Sequence, residues 1–285
     1  MRNFRSIITV AVAITVITSL MGCNPGRGEE EEKIGKYKKQ LEECSESLAR
    51  QTKIPILGGG ELDLSRFSFS ALNIDVQNGE CGAVGFAADF FWTGVQIVPA
   101  KPLVEISPAG FKKYRDFPKN WRFFSVAAIL SNTESSLACK TNFDRAKCVD
   151  PNYQAPRPQP DNSEHLIYKS PYYPDLYIRQ IRGDNTPNLS GSISFFVAGW
   201  PRKDGATPRV LHCWSSAPIF QVESMTPEQV ANINFGTNSF PCDIEFLDFE
   251  FKGGAARVHF GTDALPEAVN ALKALQLYIS NSIQK

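Results

Sequence analysis

Short segments in which apolar and polar residues alternate recur through most of the chain after residue 60. Side chains of a β-strand point alternately to opposite faces, so a period of two predicts strands with one buried face. Gly, Pro, Asn and Asp fill the intervening turns, as closely spaced antiparallel strands require. We predict a mainly β (α+β) fold with an antiparallel β-sandwich or β-sheet body. The predicted strands are 66–76, 84–92, 95–98, 121–130, 166–168, 176–181, 192–198, 209–214, 219–222 and 243–251.

Two of these strands change the phase of their alternation midway. In residues 66–76 the apolar positions change from odd to even numbers after Ala71. In residues 243–251 they change from even to odd numbers after Phe246. One extra residue in a strand produces such a slip, so we predict β-bulges near Ala71 and Phe246.

An amphipathic helix is predicted over residues 29–50, packed on its own domain or against a partner. Its apolar stripe repeats at alternating intervals of three and four: Ile34, Tyr37, Leu41, Cys44 and Leu48. This spacing is close to a coiled-coil seam. On its own domain, the stripe would bring Cys44 near another cysteine, with Cys81 the nearest candidate in sequence. In a homodimer, two copies of Cys44 would face each other.

Three further helices are predicted. The C-terminal segment from Thr262 onwards places one apolar face over a sheet, formed by Leu265, Val269, Leu272, Leu275 and Ile279. Residues 226–234 begin with a capping box, in which Thr226 is the N-cap, Pro227 follows it and Gln229 completes the box. Residues 110–117 form a weaker candidate.

The chain divides into three regions by composition. Residues 1–22 form a leader, residues 23–57 an anchor, tether and amphipathic helix, and residues 58–285 a β-rich globular domain. Residues 150–163 contain four prolines and are poorly suited to a sheet interior. This segment divides two subdomains or forms a long surface loop, and both alternatives stay open.

The leader combines a basic start with a short apolar run. Arg2 and Arg5 precede residues 7–20, which are apolar apart from Thr and Ser. Fourteen helical residues span about 21 Å, less than the roughly 30 Å of a bilayer core. This pattern is typical of a secretory signal and not of a permanent transmembrane helix.

The four residues that close the run, Leu20-Met21-Gly22-Cys23, resemble the lipobox of bacterial lipoproteins. The resemblance is confined to these residues. It implies cleavage before Cys23, a diacylglycerol thioether on its sulfur, and a further acyl chain such as palmitate on its amino group. Asn24 is not the aspartate that retains lipoproteins of enteric-type bacteria in the inner membrane. We therefore expect lipid anchoring at the bacterial outer membrane, facing the periplasm.

Six cysteines follow the lipidation candidate. An even number in an exported chain predicts disulfides, with the pairing left open. Locality favours one pair, Cys139 with Cys148, because these residues bracket a short polar loop. No C-x-x-C pair or histidine cluster supports a metal site, and we expect no metal and no cofactor. The disulfide candidates are Cys44, Cys81, Cys139, Cys148, Cys213 and Cys242.

The sequence offers no recognisable catalytic motif. The common nucleophile, zinc-protease and phosphate-loop patterns are absent. The only histidines are His165, His212 and His259, each inside or beside a predicted strand. Ser, Glu and His occur together only at residues 163–165, where adjacent strand positions point to opposite faces. We therefore assign no catalytic residue.

The lipid anchor, the expected disulfides and the lack of a catalytic motif favour a binding function. The chain has 30 basic and 30 acidic residues, so nucleic acid is not expected as a partner. We expect a non-catalytic envelope protein that binds another macromolecule, as an accessory of a secretion or conjugation system or as an immunity or exclusion lipoprotein. The alternative is an envelope hydrolase acting on lipid or peptidoglycan. A minor alternative, suggested by the aromatic residues 172–177, is carbohydrate binding.

Overall fold

The computed structural model describes residues 27–100, 118–130, 164–182, 192–201, 208–214, 225–236, 239–248 and 255–284. The α-helices in these ranges are α1 (Arg27–Leu48), α2 (Pro227–Ala231) and α3 (Ala268–Ser280). The strands are β1 (Lys53–Pro55), β2 (Glu61–Asp63), β3 (Phe69–Gln77), β4 (Glu80–Trp92), β5 (Ile97–Pro99), β6 (Arg122–Ile129), β7 (Glu164–Lys169), β8 (Leu176–Arg182), β9 (Ser192–Pro201), β10 (Pro208–Trp214), β11 (Pro241–Asp248), β12 (Ala255–Gly261) and β13 (Ile283–Gln284).

Ten of these strands form one antiparallel sheet. Its order is β3-β4-β6-β12-β11-β10-β9-β8-β7, and β5 pairs with the end of β4 that extends beyond β3. β1, β2 and β13 form a small second sheet. The predicted mainly β class, with an N-terminal and a C-terminal helix, is therefore confirmed.

Most strand predictions are confirmed, and four strands were missed. The predicted strand 219–222, the candidate helix 110–117 and the proline-rich residues 150–163 lie outside the described residues. The missed strands are β1, β2, β12 and β13. Of these, β12 matters most, because it lies inside the large sheet between β6 and β11.

Both predicted bulges are confirmed. The register of β3 against β4 shifts between Phe69 and Ala71, and again between Asn73 and Ile74. The register of β11 against β12 shifts between Ile244 and Leu247. A bulge lets a strand change which side chains face the core while its neighbours keep their own alternation.

One face of the large sheet is buried against α3. The apolar face predicted for the C-terminal segment is buried, with Val269, Leu272, Leu275 and Ile279 at most 4% exposed. Buried residues of the sheet, such as Phe124 and Val126 of β6, belong to the same hydrophobic core as this helix. Full burial of a Leu or Ile side chain contributes about 1.5–3 kcal/mol, so these residues stabilise the packing of α3 on the core.

The predicted capping box at α2 is also confirmed. The Thr226 hydroxyl accepts from the Gln229 backbone N–H, and the Gln229 side chain accepts from the Thr226 N–H. Pro227 occupies the first position of the helix. The only α2 side chain buried in the core is Val230.

The second half of α1 packs on β3 and β4, which confirms the interpretation that the helix covers its own domain. Cys44 forms a disulfide with Cys81, and its side chain is 4% exposed. The Tyr37 hydroxyl donates to the buried Asp75 carboxylate at 2.5 Å. Near the start of the helix, Ile34 is 48% exposed. In the described part of the chain, no helix is long and apolar enough to span a bilayer.

The hairpin that carries Cys81 is formed by a two-residue turn. Asn78 and Gly79 connect β3 to β4, and both have positive φ. This conformation matches the twist of the two strands and favours Asn-Gly. Behind it, Ile54 and Ile56 are buried, so the packed body includes residues that the sequence assigned to the tether.

Removal of the first disulfide tests how α1 is held. The double variant Cys44→Ser/Cys81→Ser should lower the free energy of unfolding by about 3–4 kcal/mol, because the bond closes a loop with a sequence separation of 37. Amides in the second half of α1 should also exchange faster with deuterium.

The exposed Ile34 provides a control in the same helix. Ile34→Ala should change the free energy of unfolding by less than about 0.5 kcal/mol. A disulfide-linked dimer that disappears in Cys44→Ser, or unchanged exchange of the α1 amides in the double variant, would contradict the account.

Candidate functional site

The face of the large sheet opposite α3 carries a continuous row of polar side chains. Its members lie directly opposite one another on seven adjacent strands, from β4 to β8 in sheet order. Directly paired residues share a face, with Cβ atoms about 4.5–5.5 Å apart. We name these residues the polar row: Asp89, Ser125, His259, Asp243, His212, Ser194 and Arg179.

Alternation within each strand explains why the row is polar. His212 lies between the buried Leu211 and Cys213, and Asp243 lies between the buried Cys242 and Ile244. The apolar neighbours face the core, so the polar residue between them must point to the other face. At these positions the polar side chain therefore lies on the face opposite the core.

A buried ion pair lies at the centre of the row. Asp243 is 2% exposed, and its Oδ2 atom accepts from Arg257 Nε at 2.6 Å and also contacts Arg257 Nη2. Arg257 is two residues from His259 on β12, and 41% of its side chain is exposed. A buried carboxylate needs such compensation, because an uncompensated buried charge is strongly destabilising.

His212 contacts a hydroxyl on the neighbouring strand. The Ser194 Oγ atom is 3.0 Å from His212 Nδ1, and Asp243 lies opposite His212 on the other side. A serine, a histidine and an aspartate thus occupy adjacent positions on β9, β10 and β11. In a hydrolytic triad, the serine meets Nε2 of the histidine and the carboxylate meets Nδ1. Here Ser194 contacts Nδ1 of His212, and Asp243 accepts a hydrogen bond from Arg257. This arrangement differs from that of a hydrolytic triad.

His259 is held in its neutral form by its surroundings. Burial lowers the pKa of His259, and the positive charge of Arg257 lowers it further, while Asp243 acts in the opposite direction. The His259 ring forms an edge-to-face contact with the Trp214 ring, and the two ring centroids are 6.4 Å apart. His259 therefore contributes a neutral imidazole at pH 7, next to an aromatic surface.

The two ends of the row differ in character. Asp89 of β4 is 7% exposed, whereas Arg179 of β8 is half-buried. The Arg179 guanidinium lies over the Phe196 ring, 5.7 Å from its centroid. Beyond Arg179, the paired residue on β7 is Ile167, which is 55% exposed.

The structure contains two disulfides among its described residues. Cys44 pairs with Cys81 on the α1 side, and Cys213 pairs with Cys242 within the sheet. The second pair joins directly opposite residues of β10 and β11 and faces the core. The lipidation candidate Cys23 and the predicted pair Cys139–Cys148 lie outside the described residues.

The other positions named from the sequence are not members of the row. His165 follows Glu164 on β7, so the two are consecutive positions of one strand. In the aromatic segment 172–177, Tyr173 is a core residue whose hydroxyl accepts from the Phe235 backbone N–H at 3.0 Å. Within the described ranges, no group of three His, Cys, Asp or Glu side chains is placed to hold a metal.

Compared with protein-family models, with curated proteins and with solved structures, the chain has no match in any of the three.

The lowered pKa of His259 predicts how stability depends on pH. In the unfolded chain this histidine titrates near pH 6.5, and in the folded state it titrates below that value. As pH falls below about 6.5, His259 takes up a proton more readily in the unfolded chain than in the folded one. Protonation therefore favours the unfolded state and lowers the free energy of unfolding. In the His259→Gln variant, the free energy of unfolding should therefore fall less between pH 7.5 and pH 5 than in the wild type.

Chemical denaturation between pH 7.5 and 5 measures the effect, and NMR titration of the His259 ring gives its pKa directly. A His259 pKa above 6.5, or a pH dependence identical in the variant, would contradict the account.

Proposed function

We propose that this chain is a lipid-anchored protein of the bacterial cell envelope that binds another macromolecule and performs no turnover of its own. The observation that carries the proposal is the covalent attachment of α1 to the sheet. α1 begins at Arg27, four residues after the lipidation candidate Cys23, and the Cys44–Cys81 bond fixes its second half to the body.

This attachment would give the body a defined position above the membrane. At about 1.5 Å per residue, the helix extends roughly 15 Å from Tyr37, its first described contact with β3, to Arg27. A lipid on Cys23 would then lie four residues before a helix whose second half is fixed to the sheet. Such a spacer suits a protein that presents a surface to a partner.

The geometry of the polar row also supports binding. The Asp243 carboxylate is engaged by Arg257 on its own sheet face, and Ser194 approaches the Nδ1 atom of His212. Both arrangements stabilise paired strands without requiring a substrate. We place the protein at the periplasmic side of the outer membrane, where it would bind a protein partner. Its role would be that of an accessory of a secretion or conjugation apparatus, or that of an immunity or exclusion lipoprotein.

Lipidation and partner binding are tested together in the native envelope. Wild-type chain should incorporate a fatty-acid analogue and fractionate with membranes, whereas Cys23→Ser should do neither. Cross-linking in cells, followed by purification, should recover a protein partner with the wild type.

The variant Cys44→Ser/Cys81→Ser is the matched control for loss of a cysteine. It should keep the lipid label, because its substitutions leave Cys23 intact. Equal labelling of Cys23→Ser and wild type, or cross-linking that recovers no partner, would overturn the proposal.

An envelope hydrolase is the second candidate, favoured by the 3.0 Å contact between Ser194 and His212. If Ser194 were an activated nucleophile, a fluorophosphonate probe would label the wild type and not Ser194→Ala. The binding proposal predicts no labelling that depends on Ser194. Ser125→Ala, also in the polar row, is the control, and labelling lost only in Ser194→Ala would establish the hydrolase.

A further inference from the structure

We propose that the Cys44–Cys81 bond is a redox-sensitive latch, which a dithiol reductant opens while the Cys213–Cys242 bond stays closed. Opening the latch releases α1 from the body. The latch concerns described residues alone, and it rests on the proposed function only for the lipid at the far end of α1.

The two described disulfides differ in their access to solvent. Cys213 and Cys242 are both 0% exposed and lie inside the large sheet. Cys81 is partly exposed at the start of β4, next to the turn from β3. The exposed side chain of Ser47 lies beside it, with the Oγ atom 4.0 Å from Cys81 Sγ. Exposed disulfides are reduced more readily than buried ones, so a dithiol opens the latch first.

Burial also decides which sulfur atom of the latch is attacked. Cys44 is 4% exposed, so the thiolate of the reductant attacks the Sγ atom of Cys81. The bond between the two sulfurs breaks, and Cys44 leaves as a thiolate that takes up a proton. The second thiol of the reductant then displaces Cys81 and closes the reductant's own disulfide. Two electrons and two protons pass from the dithiol to the chain.

The other described contacts hold α1 less firmly than a covalent bond does. They include the hydrogen bond from the Tyr37 hydroxyl to Asp75 and the packing of Leu48, which is 5% exposed. Water can replace the hydrogen bond, so its net contribution is modest. When Tyr37 leaves, Asp75 still accepts from the Val76 N–H and from the Gln77 side chain. The buried carboxylate therefore keeps partners in the open state.

α1 is also suited to exist away from the body. Residues 31–36 are helical although all of them are exposed. Further along, Lys39 and Glu43 form an ion pair at the i,i+4 spacing, which supports a helix in water. Release therefore leaves a helix that carries its own stabilising pair.

A short hinge follows the helix. The chain is fixed to the body again at Thr52, whose carbonyl oxygen accepts from the Leu64 N–H at 2.8 Å. With the latch closed, about 15 Å of helix separates Arg27 from Tyr37, its first described contact with β3. With the latch open, all 22 residues of the helix, about 33 Å, separate Arg27 from the hinge. For a chain anchored at its lipid, opening would about double the reach of the spacer.

Treatment of the full chain with dithiothreitol in detergent, followed by alkylation and peptide mapping, tests the order of reduction. The two cysteines of the latch should be alkylated at least about tenfold faster than Cys213 and Cys242. After this first reduction, amides in the second half of α1 should exchange with deuterium at least about tenfold faster, whereas amides of β10 and β11 should keep their rate.

The variant Cys44→Ser/Cys81→Ser is the matched control, because its latch is open without a reductant. Its α1 amides should exchange as those of the reduced wild type do, and dithiothreitol should not change their rate. The inference is overturned if both described disulfides open at the same rate or if the α1 amides keep their rate once the latch is open. Faster α1 exchange in the variant on addition of dithiothreitol would overturn it as well.

The latch and the lipid anchor fail separately. Release of α1 on reduction, with no lipid label on Cys23, would leave the latch and remove the anchor. A lipid label on Cys23, with α1 still held after reduction, would do the reverse.

Discussion

The large sheet depends on one short pairing, that of β10 with β11. Three residue pairs define it, Leu211–Ile244, His212–Asp243 and Cys213–Cys242. On one side of this pairing lie β3, β4, β6, β12 and β11, and on the other lie β7 to β10. The Cys213–Cys242 disulfide joins the two groups of strands covalently at this point. Without this pairing, the sheet would separate into two smaller ones.

Register at this pairing also decides where the polar groups lie. A slip of one residue turns every side chain of a strand to the other face. Such a slip in β10 would place His212 in the core beside α3 and expose Leu211. The correct register instead buries the apolar residues under α3 and places His212 beside Asp243. The core and the candidate site are thus two consequences of one alignment.

Local patterns in the sequence predict the elements of this fold but not their neighbours. Alternation identified most strands, phase slips located the bulges at Ala71 and Phe246, and the stripe containing Cys44 identified the face of α1 that packs on the body. β12 was missed because its alternation is short, with Val258 and Phe260 as its larger apolar residues. The strands β1, β2 and β13 have only two or three residues, too few to show a period.

The polar row could not be predicted in the same way. Each member is a single polar residue within an apolar strand, and sequence alone does not reveal which strands are adjacent. Ser125 and His259, for example, are paired although more than a hundred residues separate them. Only the observed strand order, β4-β6-β12-β11-β10-β9-β8, brings these residues into one line. His212 was correctly placed in a strand and His165 beside one, whereas His259 lies in β12, which was missed. The shared face of His212 and His259 came from the structure.

Peptide mapping of the unreduced protein by mass spectrometry tests this alignment most directly. The account predicts a disulfide-linked pair of peptides that contains Cys213 and Cys242, because these residues lie opposite each other on β10 and β11. Cys213 or Cys242 linked to Cys139 or Cys148, or recovered as a free thiol, would contradict the register and with it the polar row.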